Sequence, residues 1–510
     1  MTTPSAPRAE THWPAALLGT TSLALGVASG HGVAGLIAPS SSPVLAIATT
    51  VINLTPTPVK EWAVATMGTA DKPLLVGGVI VACLALGSGL GVLYARHATW
   101  GLAAAGAVIG LPLLAALSLP GATWWWAIPS LVSFVVGMTA LAGVWRLARP
   151  GAPAGGGPSP LSRRALIGGA AGTGLAALVT GGAGQLLSTR TPPGVTNLPR
   201  PSIPLPQLPA GVEAGVPGLS PWVTPNADFY RVDVNLIVPA IDHTSWSLTI
   251  DGMVERPYQL GWSDLIGLEL IERDITMTCV SNEVGGSYVG SARWLGVRTR
   301  DVLQRAGIDR LADQVLSTAV DGFTISTPLA ALLDDRDALV AIGINGRPLP
   351  PEHGYPVRLV TPGLYGFVGS TKWLTRLTLT TYAAQQAYWT QRGWATDAPV
   401  KPSSRIESPR PLQPIRPGST VIGGTAWAQR RGIAAVEVRI DSGPWRRARL
   451  GPTAGIDYWR QWYLPWEATT GNHTLECRAV DGAGQVQSDQ REAPFPDGSS
   501  GIQQVVVIVR

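Results

Sequence analysis

Thr276-Met277-Thr278-Cys279-Val280-Ser281-Asn282-Glu283-Val284-Gly285-Gly286 is the stretch on which the reading of this chain turns. Ile275 and Met277 alternate with Thr276 and Thr278 as in a strand, and the pattern then breaks into small, polar and Gly residues that suit a tight loop. Cys279 therefore stands where a strand hands over to a loop. Two readings are open from the stretch alone. One is a buried structural cysteine that packs like a small hydrophobe; the other is a thiolate presented to a transition metal, for which sulfur is a soft donor.

Composition divides the chain into unlike parts. Of 510 residues only 14% are charged, and the mean hydropathy of +0.20 points to a membrane portion joined to a soluble one. The net charge of +5 and pI near 9.2 are modest for this length, and no basic stripe interleaves with aromatics, so nucleic-acid binding is excluded as a reading. Three cysteines, Cys83, Cys279 and Cys477, make no disulfide framework. Cys83 falls in an apolar span, and Cys477 alternates with Leu475 and Ala479 on a core face.

Five apolar spans are expected: Trp13 to Ala38, Leu74 to Tyr94, Thr99 to Leu119, Trp124 to Trp145 and Ala165 to Leu187. Each is near the roughly 20 residues that cross a bilayer as a helix. Arg8, Arg96, Arg146, Arg149, Arg163 and Arg164 then fall on one side, against Lys60 and Lys72 on the other. The positive-inside rule makes the arginine side cytoplasmic, so the chain after about Ser188 lies outside the cytoplasmic membrane. Ser162-Arg163-Arg164-Ala165 resembles a twin-arginine export signal, although two anchoring arginines would read the same. His31, inside the first span, is expected to be a packed or interface histidine.

Residues 1–190 thus form a transmembrane domain of five helices, and nine prolines between Pro192 and Pro221 mark 191–221 as an extended spacer. Residues 222–398 alternate strand and helix signals, including a strand at Trp246 to Gly252 and helices at Ser263, Thr299 to Ala306 and Thr327 to Leu333, as an α+β domain would. Residues 399–510 carry short alternating strands, Thr420 to Trp427, Ala434 to Ile440, Trp459 to Pro465, His473 to Val480 and Ile502 to Val509, which read as an immunoglobulin-like β-sandwich.

The run Cys279-Val280-Ser281-Asn282, with Ser291 to Val297 and Asp301-Val302-Leu303, resembles the core of the sulfite oxidase family of molybdopterin enzymes. Phe229-Tyr230-Arg231-Val232-Asp233, Asn345-Gly346, His353 to Arg358 and Ser370-Thr371-Lys372-Trp373-Leu374 follow in the family's order, and the likeness runs from Trp222 to the C-terminus. The resemblance implies a molybdenum–molybdopterin cofactor with Cys279 on the metal. It implies cofactor contacts from Phe229, Tyr230, Arg231, Val232, Asp233, Asp321, His353, Arg358, Ser370, Thr371 and Lys372, with Arg231 near the metal. Ser281 and Asn282 would shape the loop that aims the sulfur. A homodimer through the C-terminal domain is implied in the same way.

The chain departs from the family's sulfite-oxidising pattern. Val280, Ser281, Asn282, Glu283 and Val284 follow the cysteine where vertebrate members have Ala-Gly-Asn-Arg-Arg. Trp394 stands at the active-site tyrosine, allowing one inserted residue, and Pro494-Phe495-Pro496-Asp497-Gly498 replaces Trp-Asn-x-Arg-Gly. Two anion-holding arginines are gone, so a buried sulfite would lack compensation. The expected activity is two-electron oxygen-atom transfer on a small oxo substrate, with Cys279, Arg231 and Trp394 at the reaction centre. No haem or iron–sulfur motif is present, so electrons pass to a separate carrier of quinone or cytochrome type. The alternatives are a sulfite dehydrogenase, and a membrane-tethered binding or scaffold protein on an inactive catalytic fold. Arg460 is expected to make a salt bridge within the sandwich.

Overall fold

The computed structural model describes residues 12–67, 70–147, 163–189, 194–213 and 215–510. Arg8, Arg149 and Ser162, used above, lie outside them. By contact the chain divides into two compact units, Met1–Thr191 with Val234–Ala240, and Pro192–Asp233 with Ile241–Arg510.

The first unit is helical: α1 (His12–Ile37), α2 (Pro43–Leu54), α3 (Thr57–Met67), α4 (Asp71–Arg96), α5 (Ala98–Ser118), α6 (Ile128–Leu147) and α7 (Arg163–Ser188). Five helical stretches among the described residues are long and apolar enough to cross a membrane: Trp13–Ile37, Asp71–Arg96, Ala98–Ser118, Trp124–Leu147 and Arg164–Ser188. The 12-residue α2 is too short to do so and was not anticipated. Packing is organised around α1, which touches α4, α6 and α7. Glycine makes that approach feasible: Gly19 meets Gly87 and Gly91, Gly26 meets Ser133 and Gly137, and Gly184 meets Gly32. Thr173 donates its hydroxyl to Thr21 Oγ1 across 2.8 Å, joining α7 to α1. His31 is a packed residue, its Nδ1 3.0 Å from Ser42 Oγ.

The second unit begins with the proline-rich segment, which is not a free spacer. Ser202 N–H bonds Leu270 O, Ile203 pairs with Ile271, and the amides of Val195 and Leu205 donate to Tyr355 Oη and Glu272 Oε2. The reason is an edge strand that needs cover. One sheet runs β3 (Leu270–Thr278), β4 (Val289–Arg298), β7 (Leu339–Ile344) and β8 (Arg347–Pro348), with β9 (Arg358–Val360) also on β7. The proline segment lies along the open side of β3. The other sheet has the order β2 (Tyr258–Gly261), β1 (Ser247–Gly252), β10 (Leu374–Thr380), β5 (Gln314–Ala319) and β6 (Thr324–Pro328). Short helices α8 (Trp262–Ile266), α9 (Thr299–Arg305), α10 (Leu329–Leu333) and α11 (Gly366–Gly369) close the connections. Thr327 and Pro328 end β6 rather than open a helix, because Val315 and Gln314 of β5 pair with them and the helix starts only at Leu329.

The C-terminal region is β-rich. β11 (Ser403–Ser408), β13 (Gly418–Trp427), β17 (Arg460–Ala468) and β16 (Arg449–Leu450) form one sheet; β12 (Pro414–Ile415), β19 (Gln503–Val509), β18 (Gly471–Asp481), β14 (Ile433–Ile440) and β15 (Arg446–Arg447) form the other. Ile422, Trp462 and Leu464 from the first share a core with Val436, Leu475, Cys477 and Val507 from the second. Arg460 makes no salt bridge there: its guanidinium donates to the carbonyls of Gly451 and Ile433, at 3.1 and 3.0 Å. Two backbone carbonyls thus take the place of a carboxylate.

Candidate active site

Strand β3 delivers Cys279 one residue past its end, as the break in periodicity predicts. The Cys279 amide donates to Tyr288 O (2.9 Å), Asn282 N–H returns to Cys279 O (3.0 Å), and Asn282 Oδ1 receives Tyr288 N–H (2.8 Å). This closes the loop on itself, so Asn282 does shape it. Cys279 is 7% exposed; burial pushes its thiol pKa up, while the Ser281 amide and hydroxyl and the Lys372 ammonium pull it back.

In the run 229–233, Phe229, Tyr230 and Asp233 turn inward, while Arg231 and Val232 face outward. Phe229 is buried edge-on against Trp294 and His353, both 5.7 Å away, in a space that opens because Gly290 has no side chain. Tyr230 stacks on Phe229 at 5.4 Å, and burial raises its pKa, with the Cys279 sulfur adding to the shift. Val232 is exposed. Asp233 binds two cations, Arg231 Nε at 2.8 Å and Lys372 Nζ at 2.6 Å. Arg231 is thus bound to a carboxylate at a half-open edge rather than enclosed.

Behind the thiol stand His353, Arg358 and Lys372. Gly354, at φ +108°, turns the chain where a Cβ would sit 3.1 Å from both Arg358 Cβ and Lys372 Cα, so only glycine lets the two cations come together. Burial pushes Lys372 down to about 8 against the pull of Asp233, and pushes Arg358 down to about 10. His353 drops to about 4 through burial and the nearby Arg358, so it is neutral at pH 7, and its Nε2 lies 3.2 Å from Asn226 O. Arg358 donates to His353 O at 3.0 Å, but its Nε is buried with no partner. Ser370 and Thr371 are buried beside Lys372, and Thr371 Oγ1 shares a 2.5 Å hydrogen bond with Ser317. Asp321 caps the β5–β6 turn by accepting Phe323 N–H at 3.0 Å.

Two desolvated cations, an orphaned guanidinium nitrogen and a soft sulfur make a donor set with a net demand for negative charge. A metal carried on an anionic pterin fits it.

The other side of the site is built around Trp394 and the segment 494–498, both singled out in the sequence. Trp394 is 6% exposed, with Phe367, Trp389 and Phe495 at 5.4, 5.8 and 5.2 Å, and its indole Nε1 has no partner. A strap from the C-terminal region, residues 494–499, crosses here. Pro496 O accepts Ala395 N–H (3.2 Å), Lys401 Nζ binds Asp497 Oδ1 (3.0 Å) and Gly498 O (2.7 Å), and Ser499 reaches Asn282 O (2.6 Å). Tyr365, which the sequence reading missed, packs its buried ring on Gly498, and burial pushes its phenol up to about 12. Gln429 donates to Thr276 O (2.9 Å) and Arg405 to Gly286 O (2.7 Å), so the Cys279 hairpin is gripped from the C-terminal region at both ends.

Residues 235–389 match the oxidoreductase molybdopterin binding domain family. The chain is 30% identical over 318 residues to mitochondrial sulfite oxidase of Homo sapiens, covering 52% of this chain and 58% of that protein. Over 153 residues it is 35% identical to the uncharacterized oxidoreductase YuiH of Bacillus subtilis, covering 30% of this chain and 74% of that protein. Among solved structures, the sulfane dehydrogenase SoxCD from Paracoccus pantotrophus shares the fold, with a TM-score of 0.50 and 24% identity over 56% of this chain and 83% of that one. The catalytic fold, the buried thiol and the cation cluster agree with these matches: the chain belongs to the sulfite oxidase family of oxidoreductases, whose cofactor is molybdenum–molybdopterin.

Proposed function

We propose that this protein is a membrane-anchored oxidoreductase that performs two-electron oxygen-atom transfer on a small neutral oxo substrate, its catalytic unit outside the cytoplasmic membrane. The observation that carries the reading is the pairing of a buried Cys279 thiol with two desolvated cations on one side and an aromatic wall on the other. When bound, the cofactor supplies the oxygen exchange and the two-electron change. Cys279 is the metal ligand. His353, Arg358, Ser370, Thr371 and Lys372 hold the anionic pterin tail, and Asp233 keeps Lys372 aimed while Arg231 balances the second lone pair of that carboxylate. Neutral His353 offers hydrogen bonds without adding charge.

Residues 1–190 act as a five-helix, multi-pass anchor, supported by the five long apolar helices and by Arg96, Arg146, Arg163 and Arg164 at their cytoplasmic ends. The arginine pair that opens α7 serves as a twin-arginine signal, which suits cargo folded around its cofactor. Residues 191–221 act as a connection docked on the catalytic sheet, 222–398 as the catalytic domain and 399–510 as an immunoglobulin-like domain that mediates a homodimer. Electrons pass to a separate carrier of quinone or cytochrome type.

A sulfite dehydrogenase is the second reading, favoured by the names of the mitochondrial relatives; this chain spans only 58% of the human protein's length. One screen separates the two. Full-length protein from a cofactor-competent host is assayed with reduced viologen and with ferricyanide against sulfite, sulfoxides, N-oxides and nitrate. Viologen oxidation by sulfoxides or N-oxides, abolished in a folded Cys279→Ala variant, is the expected result. Sulfite-dependent ferricyanide reduction as the dominant activity would transfer the assignment to the second reading.

A further inference from the structure

We propose that the C-terminal β-rich region carries a second ligand site, an open cleft that takes a small zwitterion whose anionic and cationic ends are joined through an apolar body. The cleft holds about 500 Å³, a volume in the range of small-molecule sites. Ile440, Pro444 and Arg446 line it from β14, β15 and the turn between them; Pro465, Trp466 and Glu467 line it from β17 of the other sheet. It exists because the edge strands are short. β16 pairs with β17 only at Tyr463 and Trp462, which leaves the β17 edge open at 465–467. Pro465 has no N–H to offer a further strand, so that edge resists being closed by another one. Trp466 forms a firm floor: it is 6% exposed, His473 packs edge-on against it at 5.2 Å, and Asp441 and Thr469 O hold the imidazole at 2.6 and 2.8 Å.

Charge selects the ligand. Arg446 and Glu467 are exposed and come from opposite sheets, and neither side chain makes an ion pair or a hydrogen bond among the described residues. The charges around them are already matched: Asp441 to His473, Arg439 to Glu476 and Arg478 to Glu437. Arg447 is turned to Ala434 O, and Arg449 lies over the Tyr463 ring. One free cation and one free anion therefore face the same apolar cleft. A ligand of a single sign would be attracted by one and repelled by the other, whereas a zwitterion with an apolar middle satisfies both. None of the six lining residues belongs to the Cys279 site, so the inference stands apart from the proposed reaction.

The test uses full-length, cofactor-loaded protein and leucyl-leucine, followed by ligand-observed NMR. Two capped relatives remove one charge each: N-acetyl-leucyl-leucine lacks the cation and leucyl-leucinamide lacks the anion. Wild type is expected to bind the free dipeptide about threefold more tightly than either capped form, on the scale of one exposed ion pair. Arg446→Gln should lose the preference over the amide and keep that over the acetyl form, and Glu467→Gln should do the reverse. Both side chains are exposed, so neither substitution disturbs the core. No binding of leucyl-leucine to wild type, equal binding of all three ligands, or preferences that survive both substitutions would each overturn the proposal. Sedimentation is measured in parallel. A dimer that both variants convert to monomer would assign the cleft to a contact with a second copy of the chain and overturn the proposal as well.

Discussion

Ser499 donates its hydroxyl to the backbone carbonyl of Asn282 across 2.6 Å, so the loop that carries the Cys279 thiol is tied down by a residue 217 positions away. Removing that hydroxyl leaves a buried carbonyl unsatisfied, at about 1–3 kcal/mol. Ser499→Ala is therefore expected to lower the melting temperature slightly and to raise amide exchange selectively at 280–287. Oxidoreductase turnover should drop several-fold, because the sulfur is no longer aimed. Unchanged exchange in that loop would show that the tie carries no positional load.

Asp233 is the counter-charge of a buried ammonium, Lys372 Nζ at 2.6 Å, and of Arg231 at 2.8 Å. Asp233→Asn keeps the shape and removes the charge, leaving Lys372 desolvated without an anion. Breaking one side of a buried pair costs about 3–5 kcal/mol. The cofactor-free variant should be destabilised on that scale, and part of the loss should return on cofactor loading, since the pterin tail brings negative charge to the same ammonium. Paired thermal melts of loaded and unloaded protein check this; equal losses in both would place the pterin tail away from Lys372.

Legibility followed the range of the interaction. Cys279 at a strand end, the strand found as β1 (Ser247–Gly252) and Cys477 on a core face all follow from period-two patterns, which are local and readable. The grip of Gln429, Arg405 and Ser499 on the Cys279 hairpin joins residues 119 to 217 positions apart and leaves no local period. The proline-rich segment misled for a related reason: proline density reports an extended backbone, but an extended backbone beside an unpaired edge strand docks instead of spanning. Thr327-Pro328 read as a helix start because proline suits a first turn, yet pairing with β5 held both residues in a strand. Tertiary pairing outweighed local preference there.

Gly498 lies against the Tyr365 ring, at φ +100°. A Cβ at 498 would fall 2.5 to 2.6 Å from the Tyr365 Cε2, Cζ and Oη atoms, and the backbone conformation itself disfavours an L side chain. Gly498→Ala must push the strap or the phenol aside, at a cost of about 1–3 kcal/mol. Since the strap also carries Phe495, whose ring packs on Trp394, the expected outcome is a raised KM for the oxo substrate, with molybdenum content unchanged. Gly455→Ala is the control, at φ +117° with no atom within 4 Å of a Cβ, so it bears backbone strain alone. Equal KM changes in the two variants would mean that the Gly498–Tyr365 contact plays no part in substrate binding.

Lys372 connects the cation cluster to a pH-dependent measurement made without turnover. Burial lowers its pKa from 10.5 to about 8, with Asp233 opposing the shift. Between those two values the unfolded chain holds a proton that the folded protein lacks, so the stability of cofactor-free protein rises with pH across that window. Below about pH 8 both states are protonated and the contribution is flat, with the folded state carrying the full cost of a desolvated ammonium. The anionic pterin tail, when bound, would favour the charged form and move the folded pKa back towards 10.5, so the slope should shrink in the loaded enzyme. Melting temperatures from pH 7.5 to 10.5 on loaded and unloaded protein test this, with Lys372→Met in both forms to subtract the titration of Arg358 and the buried tyrosines. If the Lys372-dependent slope were the same with and without cofactor, the anionic tail would not lie beside this lysine, and the assignment of the cation cluster as its cradle would fall.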